Sequence, residues 1–259
     1  ADRSVESVCP YCGVGCRLTF HVRDDRIAWV TGANGPANEK RLCVKGRFGF
    51  DYVRNPERLT VPLIRRPDAP KTVDPPIDPA NPWTHFRPAG WEEALEVAAS
   101  GLRRIKERWG AGALAGFGSA KGSNEEAYLF QKLVRTAFGT NNVDHCTRLC
   151  HASSVAALME GIGTGAVTAP FTEALNADLI VVIGANPTEN HPVAATYIKQ
   201  AVARGAKLLV MDPRGQALRR HATWMLQFTP GSDVALLTAL LNVVITEELY
   251  DRQYVAAQV

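Results

Sequence analysis

The sequence predicts an α/β fold preceded by a small β-rich module, and three observations carry that prediction. Four cysteines fall within the first 45 residues among short alternating stretches. Prolines then crowd the chain from Pro56 to Pro88. From Trp91 onward, apolar runs of strand length alternate with amphipathic stretches that open and close on capping residues. The 259 residues are 46% hydrophobic and 21% charged, enough apolar chain to bury at least one sizeable core.

Arg17 to His21 and Arg26 to Val30 alternate polar and apolar side chains as half-buried strands do, and Gly32, Asn34, Gly35 and Pro36 supply turns. Residues 1–55 therefore read as one module. Prolines at 56, 62, 67, 70, 75, 76, 79, 82 and 88 remove backbone donors and exclude long helices, so 56–90 reads as an extended connector holding a domain boundary. Trp91, Leu95, Ala98, Leu102, Ile105 and Trp109 then recur at helical spacing up to Gly110 and Gly112. Ala113 to Gly118 reads as a short strand. Ser123 with Glu126 makes a capping box for a helix to about Phe138, stopped by Gly139, which completes a first α/β segment, 91–142.

In the second α/β segment, 143–259, Asp178 to Gly184 is a buried strand, Pro192 opens a helix that Gly205 stops, and Lys207 to Asp212 is the next strand. Trp224 to Phe228 is a further strand candidate, and Ser232 caps a helix from about Asp233 to Glu248. Strand-helix alternation of this kind predicts a mainly parallel sheet.

Composition narrows the function classes. Lys plus Arg outnumber Asp plus Glu by 29 to 26, a formal charge of +3, so the surface is mixed and nucleic acid is not a suggested partner. No run approaches the roughly 18 apolar residues of a membrane helix, and residues 1–20 hold three cysteines and no signal core, so the chain reads as soluble. Six cysteines are too few for a disulfide scaffold in a chain this long. Their grouping at 9, 12, 16 and 43 and at 146 and 150 is that of ligands, which points to a reducing, cytoplasmic compartment.

Cys9, Cys12 and Cys16 form C-x2-C-x3-C, and Cys43 follows after 26 residues, so three of four thiolates come from one tight loop. Four thiolates suit a cubane iron–sulfur cluster. Zinc accepts four as well, but zinc ribbons usually present two C-x2-C pairs, and here the last cysteine stands alone. The stretches V-C-P-Y-C-G-V-G-C and R-L-C-V-K-G-R-F-G resemble the N-terminal iron–sulfur domain of the molybdopterin oxidoreductases. The resemblance implies a [4Fe–4S] cluster on Cys9, Cys12, Cys16 and Cys43. It also places Lys45 between cluster and pterin, where a cation favours the reduced cluster. Taken alone, Lys45 would be a surface lysine.

Asn142-Val-Asp-His-Cys-Thr-Arg-Leu-Cys-His151 reads as a loop leading to a helical stretch from about Ser153. By spacing alone, C-x3-C-H is one residue too long for haem attachment, and a buried structural cysteine pair is the other plain reading. The stretch is similar to formate dehydrogenases, in which a cysteine or selenocysteine ligates the metal and a histidine follows at once. That resemblance implies Cys150 as a ligand of molybdenum or tungsten, and His151 as the group that positions formate's carboxylate or accepts a proton. Cys146 is not implied as a ligand. Related nitrate reductases usually carry methionine after the cysteine, so His151 favours formate. The run D-H-C-T-R-L-C-H-A-S-S-V-A-A-L is most similar to the soluble NAD-linked type, whose iron–sulfur and flavin/NAD sites would lie on separate acceptor subunits.

Gly184-Ala-Asn-Pro-Thr-Glu-Asn-His191 leaves a strand end and enters a helix, the expected place for a nucleotide in a parallel sheet, although a generic turn would also explain Gly184 and Pro187. It resembles the family's G-A-N-P-T-E-N-H-P signature. With Asp212, Arg214, Gly231 and Asp233, the resemblance assigns Gly184, Asn186, Pro187, Thr188, Glu189, Asn190 and His191 to the guanine nucleotide of a bis-molybdopterin guanine dinucleotide centre. Gly116 to Gly122 mimics a dinucleotide fingerprint but is one residue too long between its second and third glycines, which argues against direct NAD binding there; the resemblance assigns Ser119 and Lys121 to the molybdopterin wall instead. Gly161 to Gly165 follows no strand and reads as a flexible loop.

The resemblance covers nearly all 259 residues, yet the family's catalytic subunits are much longer, with a distal β-barrel domain and an arginine beside formate that nothing after Gly231 matches. The chain then reads either as part of a catalytic subunit whose remainder lies outside this sequence, with Cys150, His151 and Lys45 as its catalytic residues, or as a degenerate homologue that binds only the cluster. The alternatives are nitrate reduction, or an electron-transfer subunit that keeps the scaffold without the metal; the Cys150–His151 pair argues against the latter.

Overall fold

The computed structural model describes residues 1–71, 76–78 and 81–258; Pro75 and Pro79 of the connector and Val259 at the end of the last segment lie outside the described residues. In chain order the elements begin with β1 (Arg3–Val8), β2 (Arg17–Arg23), β3 (Arg26–Gly32), α1 (Val44–Phe48), β4 (Leu63–Arg65), β5 (Phe86–Pro88) and α2 (Trp91–Trp109). Next come β6 (Gly116–Phe117), α3 (Asn124–Lys132), β7 (Val143–Asp144), α4 (Thr147–Cys150) and α5 (Ala152–Ile162). The last are β8 (Leu179–Ile183), α6 (Pro187–Asn190), α7 (Pro192–Ala203), β9 (Lys207–Met211), β10 (Trp224–Leu226), α8 (Asp233–Thr246) and α9 (Arg252–Gln258). Contacts divide them into two compact units, Ala1–Arg47 with Thr168–Val259, and Phe48–Val167. The first unit is discontinuous, a feature that a reading in consecutive segments does not contain.

In the first unit, β1, β2 and β3 form an antiparallel meander in that order. Asp24 and Asp25, both left-handed at φ 50° and 55°, make the tight turn whose twist matches the flanking strands. Strand β1 was not expected from the sequence. All six of its residues are exposed, so it is an edge strand defined by its pairing from Arg3 with Val22 to Val8 with Arg17. Beneath the meander Asn38 is fully buried. Its Oδ1 accepts from Arg17 N at 2.9 Å, and its Nδ2 donates to the carbonyls of Arg17, Ala33 and Arg41 at 3.0, 3.2 and 2.9 Å. Asn38→Ala strands these groups away from water, and we expect unfolding free energy to fall by about 3 kcal/mol in denaturant titrations.

The same unit contains the predicted parallel sheet, in the order β10-β9-β8. Side chains on both faces of β9 are buried, Leu208, Val210 and Met211 each at 0% exposure, as a central strand of such a sheet requires. Val182, Leu208, Val210 and Leu218 form its core, with Ile198 and Val202 of α7 packed against them. Helix α7 starts at Pro192 and gives way before Gly205, at φ 111°, as its end signals predict. Tyr197 of α7, fully buried, donates to the Ala37 carbonyl at 3.2 Å and lies under the Arg41 guanidinium, tying the cysteine module to the sheet. The helix after Ser232 forms, but the serine does not cap it with its side chain: the hydroxyl donates to the Thr229 carbonyl at 2.6 Å instead.

In the second unit the proline-rich stretch contains a short antiparallel pair, β4 with β5, in place of a wholly extended connector. Helix α2 spans Trp91–Trp109 as the periodicity predicts, with Trp91, Leu95 and Trp109 exposed. The capping box is present: Ser123 Oγ accepts from Glu126 N, and Glu126 Oε2 accepts from Ser123 N. Beyond Lys132 the helix widens to a π turn through Phe138 and ends on left-handed Gly139. Strands β6 and β7 pair in parallel. Gly116 is required there, because a Cβ would come within 2.5 Å of Val134 Cγ2. The segment expected as a loop around Cys146 and Cys150 is instead one helical turn, α4, with a break at His151 before α5. Gly163, left-handed, closes α5 within the glycine-rich stretch.

Candidate cofactor sites

The four N-terminal cysteines meet. Cys9 N donates to the Cys16 carbonyl at 2.8 Å, left-handed Gly15 turns the chain between them, and Cys43 lies at the start of α1. Cys9, Cys12, Cys16 and Cys43 line one small cavity with Val14, Leu42, Gly46 and, from α7, Pro192 and Val193. Gly46 is close enough that a Cβ would stand 3.3 Å from Cys9 Sγ, so a larger residue would crowd the thiols. Cys9 and Cys16 are buried, and Cys12 and Cys43 half-buried.

Burial pushes the Cys16 thiol up to about 12, and the charges of Cys9, Cys12 and Cys43 push the same way. Burial also raises Cys9, offset by a backbone hydrogen bond from Tyr11 and by the charge of Lys45, which therefore lies within electrostatic reach of the cavity. Thiols that oppose one another's ionisation are stabilised as thiolates only by a cationic partner, and the donor set fits an iron–sulfur cluster. Among the described residues no three His, Cys, Asp or Glu side chains converge at single-ion distances; the cysteines surround a cavity instead of a point.

The loops Gly184–His191 and Asp212–Arg214 lie side by side, as their strand-end positions predict. Strands β8 and β9 are adjacent and parallel, and Gly184 N donates to the Met211 carbonyl at 2.9 Å just where both strands end. Gly184 is left-handed at φ 59°, which turns the chain into Asn186 and the single helical turn Pro187–Asn190. Thr188 Oγ1 donates to Asn186 Oδ1 at 2.6 Å, Glu189 and Asn190 are exposed, and His191 joins α6 to α7 with its ring 6.2 Å from that of Phe171. Asp212 is buried, and its Oδ1 accepts from Arg214 N at 2.7 Å. The third loop, left-handed Gly231 and then Asp233 at the start of α8, follows β10, whose Leu226 carbonyl accepts from Asp212 N. All three loops thus leave the carboxyl edge of one sheet. A residue the sequence did not single out, Gln216, lies between the first two, donating to the Ala185 carbonyl and to Asp212 Oδ2.

In the second unit a cavity of about 660 Å³ opens at the carboxyl ends of β6 and β7. Ser119 and Lys121 line it, beside Phe117, Glu126, Phe130 and His145. Sequence reasoning missed His145, whose Nδ1 lies 2.7 Å from Thr147 Oγ1. Asp144 is held below the usual carboxylate range by the His145 backbone N–H and by the Arg148 guanidinium. Cys150 and His151 are exposed at the end of α4 and are not among the cavity's lining residues; Cys150 N donates to the Cys146 carbonyl one helical turn back. No helix among the described residues is long and apolar enough to cross a membrane.

Residues 58–256 match the family model described as molybdopterin oxidoreductase, and residues 2–55 match the molybdopterin oxidoreductase Fe4S4 domain. The chain is 38% identical over 261 residues to formate dehydrogenase H of Escherichia coli, an alignment covering 99% of this chain and 34% of that protein. It is 37% identical over 252 residues to the F420-dependent formate dehydrogenase subunit alpha of Methanocaldococcus jannaschii, covering 97% and 34%. Acetylene hydratase from Pelobacter acetylenicus shares the fold, with a TM-score of 0.80 at 21% identity over 97% of this chain and 33% of that one. The chain therefore spans about a third of the length of these relatives. An N-terminal four-cysteine module followed by parallel-sheet α/β segments, matched end to end by these two family models, places the chain in the molybdopterin oxidoreductase family.

Proposed function

We propose that this chain is the cofactor-holding part of a formate dehydrogenase catalytic subunit, which oxidises formate reversibly to CO2, one proton and two electrons. The observation that supports this most is Cys150 followed at once by His151 in a chain 38% identical to formate dehydrogenase H. When bound, a molybdenum or tungsten bis-molybdopterin guanine dinucleotide centre accepts the two electrons.

Every other role belongs to residues of the chain. Cys150 supplies a soft thiolate to the metal, and the His151 imidazole positions the carboxylate or takes the proton. Gly184, Asn186, Pro187, Thr188, Glu189, Asn190 and His191, with Asp212, Arg214, Gly231 and Asp233, hold the guanine nucleotide, while Ser119 and Lys121 wall the molybdopterin. Lys45 favours electron arrival at a [4Fe–4S] cluster on Cys9, Cys12, Cys16 and Cys43. From there electrons leave for separate acceptor subunits and NAD⁺ in the cytoplasm. The segments 1–55, 56–90, 91–142 and 143–259 are read as cluster module, connector and two cofactor-binding α/β segments.

Purification of the complete catalytic subunit tests this. Molybdenum or tungsten, iron and acid-released GMP are expected together, with formate-dependent dye reduction. Nitrate reduction without formate oxidation would overturn the reading.

A further inference from the structure

Gln216, four residues after Asp212, is only 8% exposed. Its amide nitrogen donates to the Ala185 carbonyl at 2.6 Å and to Asp212 Oδ2 at 3.2 Å, so both of its hydrogens are used and one side chain ties the loop after β8 to the loop after β9. Both neighbours can only accept, so the amide cannot be turned over without setting oxygen against oxygen. Held this way, Oε1 is buried with no hydrogen-bond partner among the described residues. A buried orphan acceptor is costly, and a side chain needed for packing alone would be better apolar.

The chemistry left over at Gln216 and Asp212 has one sign. With the amide hydrogens spent, the cluster offers acceptors only: Gln216 Oε1, and the lone pairs of the Asp212 carboxylate that remain after Arg214 N and Gln216 Nε2 are served. A complementary ligand edge brings donors. Among nucleobases, guanine presents two adjacent donors, N1–H and the 2-amino group. Adenine and cytosine each set a ring acceptor next to their amino group, which would face the carboxylate, and sites built on such pairing reject the wrong edge strongly.

We propose that Gln216 is the specificity-determining positioning residue of the nucleotide site: it clamps Asp212 and the Gly184 loop into an acceptor-only face that takes guanine in preference to adenine or cytosine. This rests on the reading that these loops hold a nucleotide.

The test uses the complete catalytic subunit with Gln216→Leu and the size-matched Gln216→Glu, whose carboxylate would repel Asp212 and cannot donate to Ala185. Acid-released nucleotides are identified and counted per polypeptide, and iron–sulfur absorbance is read on the same samples. Wild type is expected to release GMP. Both variants are expected to retain roughly tenfold less, the effect of about one hydrogen bond's worth of binding, or to admit CMP or AMP, with cluster absorbance unchanged. Should the leucine variant fail to fold, the glutamate variant carries the comparison. Full GMP retention in the variants overturns the role of Gln216 alone. GMP and cluster absorbance falling in parallel overturns it too, as a merely structural residue would behave that way. A wild-type subunit that releases no nucleotide overturns the nucleotide reading and this proposal together.

Discussion

Serine in place of Cys150 is expected to abolish formate oxidation by the complete catalytic subunit while the visible absorbance of the iron–sulfur cluster stays at the wild-type level. Serine keeps the size and a hydrogen-bonding tip, so the one-turn helix Thr147–Cys150 has no reason to unravel. What changes is the ligand: an alkoxide is harder than a thiolate and far less acidic, so at neutral pH the side chain stays protonated and binds the metal poorly. Cys9, Cys12, Cys16 and Cys43, proposed to hold the cluster, belong to the other compact unit, Ala1–Arg47 with Thr168–Val259, and cluster assembly is expected not to notice the change. His151→Ala is expected to be milder, a loss of about 10²–10⁴-fold, because it removes one positioning or proton-accepting group and leaves the metal ligated. Steady-state formate oxidation and absorbance spectra of the same preparations check both. Full activity in Cys150→Ser would refute the ligand assignment, and loss of cluster absorbance would mean that the two cysteine groups are wrongly divided.

Alanine in place of Cys16 is expected to do the reverse at the other site, removing the cluster from the N-terminal module. Cys16 is 5% exposed, and its thiol is held up at about 12 by burial and by the charges of the other three cysteines. An iron–sulfur cluster held by these cysteines would reverse that preference and keep the thiolate charged, which would couple cluster binding to ordering of the loop that carries them. Removing one of four ligands leaves iron with an open position, and alanine offers nothing to fill it. Iron content and visible absorbance should both fall by about an order of magnitude or more, and the thermal unfolding midpoint should drop with them. Cys146→Ala serves as the control, because Cys146 is exposed, lies 3.7 Å from His145 Nδ1 and is absent from the cysteine cavity. Cluster content at the wild-type level in Cys16→Ala would remove Cys16 from the ligand set.

The features legible in the sequence are those written within a few residues of one another. The capping box at Ser123 and Glu126, the glycine stops at Gly139 and Gly205 and the proline start at Pro192 all appear where expected, because a helix end is decided by which groups lie three or four positions away. The convergence of the first cysteine group was partly legible for a similar reason: three cysteines on one tight loop leave few geometries open, and Cys43 joins them at the same cavity. A local rule still failed once. Ser232 had the right position for a cap, but the Thr229 carbonyl competed for its hydroxyl.

The rest was decided by residues distant in sequence. Strand β1 carries no buried side chain and exists through its ladder to β2. Joining residues 1–47 to 168–259 depends on contacts such as Tyr197 with Ala37, 160 positions apart, and on Pro192 and Val193 closing one wall of the cysteine cavity. Gln216 gains its role only because β8 and β9 are neighbours, which brings Ala185 and Asp212 within reach of one amide. The sequence by itself determined the grouping of the cysteines and the ends of the helices, since both are written in a few adjacent residues. Tertiary structure alone decided which loops lie together, because burial and hydrogen-bond satisfaction are set by whichever segments pack together, and no short window of sequence records its partner.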